Sequence, residues 1–319
     1  MNGKAKLTLA AAFAVLCVSA TAAFLAPASL KTEANTLAGL GVTYTETGNA
    51  AETYLPYLRE EKPVVKEAWF KELNLASIAA PTNDKERQAA KDAVVKARAD
   101  LDVLIAASKK SGYALWGTLY TPPATNSPWM GDAVDYPAVI RLATLLIPDA
   151  QATADPKAAE EKLLAAVRIG NHFETDVTSI GFLIGNVLKK WTAIALADFY
   201  TKQGKPELAD KWKKYSEHVD ERMKFIRAQI KAMGGYNQEQ IMQVMNDPDA
   251  PVCLKAEAIV SQHYCITSKV ALAQCKVLGP PGWVKKLEAD NKDPQLAVII
   301  PLLKNEPTWE QIYNFEDIE

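Results

Sequence analysis

The chain has 319 residues, a formal net charge of -2 and 49% hydrophobic residues. That length is ample for one large core or two modest ones, and no basic patch or arginine-rich arm supplies the footprint that nucleic-acid binding demands. Gly is sparse at 15 residues, and Val and Ile are dispersed instead of bunched into alternating strands, so the composition predicts helices. The fold class expected is all-α: antiparallel helical hairpins packed as an irregular bundle or short α-solenoid, behind an N-terminal signal or anchor.

Lys4 and Lys6 precede an uncharged, Ala- and Leu-rich run from Leu7 to Leu30. This is the layout of an export signal: a basic start, an apolar stretch, then small residues. Ala20-Thr21-Ala22 offers a cleavage site, and Ala26-Pro27-Ala28 a second. The rival reading is an uncleaved anchor, since about 20 apolar residues span a bilayer. Lys4 and Lys6 would then stay on the cytoplasmic side. Weakly apolar Ala and the break at Pro27 favour cleavage. Either way the body is expected outside the cytoplasm, soluble in the periplasm or envelope if cleaved near Ala22, otherwise held by the N-terminal helix. No later segment is expected to be apolar enough to span; the best, Ser179 to Phe199, carries Lys189 and Lys190 in its middle.

Residues 31–48 read as an extended linker, and 49–319 as one helical domain with a candidate sub-boundary near 234–250. Asn49 caps the first helix, and Pro63 begins a second that carries Trp69 and Leu73. Asn83 with Glu86 forms a capping-box pattern opening a long helix through Leu101 and Leu104. Gly112 ends it. Residues 113–134 form the longest irregular stretch. Asp135 opens a helix with Pro137 in its first turn, and Pro148 is expected to kink or end it. Asp155-Pro156 is a strong start signal, N-cap then proline at the first helical position. Ser179 caps a helix to about Lys202, Gly204 breaks it, and Pro206 starts another reaching about Met233. Shorter helices follow near 237–245, 252–263, 266–277, 283–290 and 295–304. No segment reads as a strand.

The segment Leu196-Ala197-Asp198-Phe199-Tyr200, with Gly204 and Ala209, resembles part of a tetratricopeptide repeat, whose small residues let two helices approach closely. No second copy follows at a 34-residue period. More broadly, Asn49-Ala50-Ala51, the run Ile140 to Leu146 and the apolar run Gly170 to Trp191 resemble an uncharacterised family of exported, all-helical proteins of planctomycete-like bacteria. That resemblance implies a helical body and carries no catalytic residue with it.

Cys253, Cys265 and Cys275 survive signal removal, and an odd count leaves one thiol free or paired between chains. If 252–277 is a helical hairpin turning near Tyr264, Cys253 and Cys275 are placed opposite each other for a disulfide. Cys265 is an alternative partner, and three reduced cysteines remain the third option. Neither His-Glu-x-x-His nor Glu-x-x-His occurs, so no metal and no cofactor is expected. His172, Glu174 and Asp176 form a small polar cluster between two apolar helices. His218 lies on a charged helix face. The candidate recognition surface is the proline-stiffened aromatic loop with Tyr113, Trp116, Tyr120 and Trp129, because Trp and Tyr are enriched in binding hot spots; the same rings could instead cover the core. Trp69, Trp191, Trp212 and Trp283 are expected in the core. The function expected is a non-enzymatic scaffold or interaction protein of the cell envelope, partnered by other envelope proteins and touching membrane only through residues 7–30. The alternatives are a periplasmic ligand-binding protein with residues 113–130 as its lid, and an enzyme built on His172 or a carboxylate pair.

Overall fold

The computed structural model describes residues 33–113, 135–175 and 179–234, with the single residues Leu115, Val244, Pro251 and Leu254. The fold is all-α apart from one short strand pair. In chain order the elements are α1 (Glu33–Gly39), β1 (Glu46–Asn49), α2 (Ala51–Leu58), α3 (Pro63–Lys66), α4 (Ala68–Lys71), α5 (Leu75–Ala79), α6 (Asp84–Lys96), α7 (Arg98–Ser108), β2 (Lys110–Gly112), α8 (Tyr136–Ala152), α9 (Pro156–Glu174), α10 (Ser179–Lys202) and α11 (Pro206–Gly234).

Several boundaries obey local chemistry. The Asn83 side chain accepts a hydrogen bond from the Glu86 amide at 2.9 Å. Glu86 reaches back one residue further than a capping box requires, accepting from the Thr82 amide at 2.7 Å. Asp155 accepts from the amides of Lys157 and Ala158, with Pro156 at the first helical position. Gly204 turns α10 into α11 with φ +68, a left-handed conformation that glycine adopts at low cost.

Elsewhere the expectation needs correction. The expected linker holds α1 and β1. Glu67 is extended and splits the expected helix after Pro63 into α3 and α4. The long helix bends at Ala97, whose φ -94 and ψ 5 leave the helical region; both flanking faces then bury their own apolar residues, Val94 on one and Leu101 and Leu104 on the other. Gly112 does not end a helix but sits in β2, which pairs with β1 in parallel. A Cβ on Gly112 would lie 2.7 Å from the Gly48 carbonyl oxygen, so the close approach needs glycine. Pro148 does not stop α8, which runs on to Ala152. Leu145, Leu146 and Ile147 around it are fully buried, at roughly 1.5–3 kcal/mol each, against a local cost of about 3 kcal/mol for an interior proline.

The middle of the body is α8, which is buried almost throughout and packs against α2, α5, α6, α7, α9 and α10. One core cluster joins Tyr54, Phe70, Leu101, Leu142, Phe173 and Phe182; a second gathers Leu163, Val167, Leu196, Trp212 and Tyr215. Helices α8 to α11 follow one another as antiparallel hairpins. The pair α9 and α10 comes closest where two glycines meet. A Cβ on Gly170 would stand 2.7 Å from the Gly185 carbonyl oxygen, and one on Gly185 2.5 Å from that of Gly170.

Helix α10 corrects a further expectation. Its segment Ile180–Lys202 is long and apolar enough to cross a membrane by length and hydropathy. Half of its most apolar window is nevertheless buried inside the protein, between α9 and α11, as in a core helix.

Candidate functional site

Helix α9 delivers two side chains of the expected polar cluster to its C-terminal turn. His172 is 2% exposed. Its Nε2 lies 2.8 Å from the Lys110 carbonyl oxygen in β2, which can only accept, so Nε2 carries the proton. Nδ1 therefore accepts from the Tyr54 hydroxyl on α2 at 3.0 Å. The ring is flanked by Tyr44, with centroids 5.5 Å apart, and by Tyr113, nearly parallel at 6.0 Å. Burial pushes the imidazole pKa down to about 4, against a smaller upward pull from the Lys110 carbonyl. The result is a neutral histidine with both nitrogens committed. It ties α9 to α2 and to the strand pair.

Glu174, two residues on, is 7% exposed and accepts from both Lys189 of α10 and Arg222 of α11. Lys189 has no exposed surface, and its ammonium also lies 6.0 Å from the Tyr215 ring centroid. The Arg222 guanidinium lies 5.7 Å from that of Phe182. This hub sits beside the Gly170–Gly185 contact and joins three helices. Asp176 falls outside the described residues.

A second hub lies near the other end of α8. Asp149, with a 3% exposed side chain, takes both terminal guanidinium nitrogens of Arg98 at 2.6 Å and the Lys162 ammonium at 2.9 Å. Burial raises its carboxyl pKa, but the hydrogen bonds from Arg98 and Lys162 outweigh that and hold it below the usual range. Arg168 similarly joins Glu161, Ser108 and the Thr43 carbonyl.

Of the expected recognition rings, Tyr113 is 7% exposed and packs inward on His172 and Phe173. Trp116, Tyr120 and Trp129 lie outside the described residues, as do Cys253, Cys265, Cys275 and Trp283. Trp212 is fully buried, whereas Trp69 and Trp191 are half-buried. His218 is half-buried beside Tyr215. Among the described residues no three His, Cys, Asp or Glu side chains converge as metal ligands would.

The outward face of α10 is apolar along most of its length. Ile180 and Ile194 are 60% and 46% exposed, with half-buried Ile184, Val187 and Trp191 between them at helical spacing. At the C-terminal end this face opens into a cleft of about 160 Å³, with Ala150, Leu163 and Phe199 in its wall and Asp198, Lys202 and Gln203 among its polar lining.

No protein-family model, curated protein or solved structure matches the chain.

Tyr54, Lys110 and Asp149 escaped the sequence reading. Lys189 did carry a signal, a cation in the middle of an apolar helix, which demands a buried partner. Nothing local identified that partner as Glu174.

Proposed function

We propose that the protein is an exported, non-enzymatic helical scaffold of the cell envelope that works by holding other envelope proteins. The observation that carries this reading is the use made of its ionisable groups. His172, Glu174 and Asp149 are each buried and each committed to partners on two other elements. Such hubs fix the relative placement of helices, which a scaffold requires. A stack of consecutive antiparallel hairpins, α8 to α11, is also an architecture that offers extended protein-binding surfaces. The reading is tested by crosslinking native cells and purifying the full-length protein from the envelope fraction. A reproducible protein partner is expected, and that partner, once purified, should raise the melting point of this chain. A monodisperse, partnerless protein would sink the scaffold reading.

The cleft at the end of α10 favours a second reading, a binding protein for a small ligand. Its lining combines apolar side chains, Leu163 and Phe199 among them, with Asp198, Lys202, Gln151 and Gln203. Thermal-shift screening with metabolites, peptides and glycans separates the two: a shift on a small ligand, without a protein partner, selects this second reading.

A further inference from the structure

We infer that the cleft at the C-terminal end of α10 binds a free α-amino acid whose apolar side chain is about the size of a benzene ring. This rests on the small-ligand reading of that cleft and names the class of its ligand. Helices α8, α9 and α10 converge there. Its lining includes Ala150 of α8, Ala154 just beyond that helix, Ala159 of α9 and Ala195 of α10. These short side chains leave about 160 Å³ open beside Leu163 and Phe199. An apolar cavity of about 150 Å³ holds one benzene molecule, so the space suits a single phenyl ring. Phe199 gives that ring an aromatic neighbour, a contact that contributes beyond the area it buries.

Two charges at the cleft decide what the rest of the ligand carries. Asp198 and Lys202 both line it, both are exposed, and they stand one turn apart on α10. On α11 the same spacing joins Asp210 to Lys214 at 2.7 Å. Asp198 and Lys202 form no such pair: among the described residues neither side chain has an ion-pair or hydrogen-bond partner. An anion and a cation therefore flank an apolar space, and each is open to a ligand. Cβ atoms four residues apart on a helix stand about 5–6 Å from each other. An α-amino acid carries its ammonium and its carboxylate on one carbon, so it fits between them. The ammonium donates to Asp198, the carboxylate accepts from Lys202, and the side chain enters the cleft. A ligand of single charge would leave one of the two heads without a partner. Gln151 and Gln203 in the same lining add amide donors and acceptors.

Isothermal titration of the full-length chain with L-phenylalanine, phenethylamine and phenylpropionate tests this, since the last two keep the ring and drop one charge each. Phenylalanine is expected to bind at least about tenfold more tightly than either, the factor that one charge-assisted hydrogen bond supplies. Asp198 and Lys202 are exposed, so Asp198→Asn and Lys202→Met leave the core intact. Asp198→Asn should weaken phenylalanine about tenfold and erase its advantage over phenylpropionate; Lys202→Met should do the same against phenethylamine. A single-charge analogue that binds as tightly as phenylalanine overturns the inference and leaves the cleft a ligand site. Phenylalanine binding that neither substitution weakens also overturns it, because the site then lies elsewhere. If none of the three binds, the inference fails, and the screen of metabolites, peptides and glycans decides separately whether the cleft takes a ligand at all.

Discussion

Acidification should weaken the fold through His172. The imidazole titrates at about 4 in the folded chain and near 6.5 when unfolded. Its folded pKa is depressed, so the stabilisation it supplies is complete above the unfolded value and is lost as pH falls. Between pH 6.5 and 4 the unfolded chain binds a proton that the folded chain refuses. Each pH unit in that window costs up to about 1.4 kcal/mol, and at pH 4.5 the loss reaches about 2.5 kcal/mol. The physical reason is the geometry around the ring. A protonated Nδ1 would face the Tyr54 hydroxyl in a buried site, with Tyr44 and Tyr113 against the ring faces in place of solvent. Urea unfolding followed by tryptophan fluorescence, at half-unit steps from pH 7.5 to 4.5, measures the effect in the parent and in His172→Gln. The variant should be roughly 2–4 kcal/mol weaker at pH 7, having lost two buried hydrogen bonds. The gap should then narrow by about 2.5 kcal/mol toward pH 4.5, because only the parent carries the titrating group. Parallel stability profiles would refute the reasoning. Should the variant fail to fold, the His172 ring resonances of the parent decide instead: a ring already half protonated at pH 6 contradicts the structure.

Three further perturbations bear on the helical body. Gly185→Ala puts a methyl group 2.5 Å from the Gly170 carbonyl oxygen, and such overpacking should cost about 1–3 kcal/mol or more in urea unfolding; an unchanged midpoint would mean that α9 and α10 do not meet there. Glu174→Gln leaves Lys189 and Arg222 without their shared carboxylate. That should cost about 3–5 kcal/mol, whereas replacing all three side chains by apolar ones of similar volume should recover most of it; a single variant as stable as the parent would show the hub to be solvated. Asn83→Ala removes the cap of α6 and should cost about 1 kcal/mol, measured as a shift in melting point, with Asn83→Ser keeping most of it.

How much of this was legible depends on how far apart in sequence the cooperating groups lie. Asp155-Pro156 and Asn83 act on amides two or three residues ahead, so their roles could be read directly. The bend at Ala97 could not be, because alanine favours helix and the break serves two different packing faces. The β1–β2 pair was invisible for a similar reason. Each strand is too short to show a period, and the partners, Glu46 with Lys110 and Asn49 with Gly112, lie 64 and 63 residues apart in sequence. His172 stood out as a polar residue between apolar helices, but Tyr54 lies 118 residues away. No pattern within one element could have joined them.

Helix α10 shows the same division most sharply. Its composition satisfies the length and hydropathy of a membrane span, and its sequence alone leaves two environments open. What separates them is the cost of Lys189. In a bilayer an unpaired ammonium at mid-helix is unfavourable by about 2.5–3.5 kcal/mol on insertion scales. In this fold the same ammonium meets Glu174 across a glycine-lined crossing, with Gly170 and Gly185 allowing the helices near enough for the contact. The small residues and the buried charge therefore act together. The glycines without Lys189 and Glu174 would make a close but featureless contact. The charge pair without the glycines would not reach. A slip of one turn, about 5.4 Å along the axis, would part Lys189 from Glu174 and the two glycines from each other, so this pair of features also selects the register in which α9 and α10 pack.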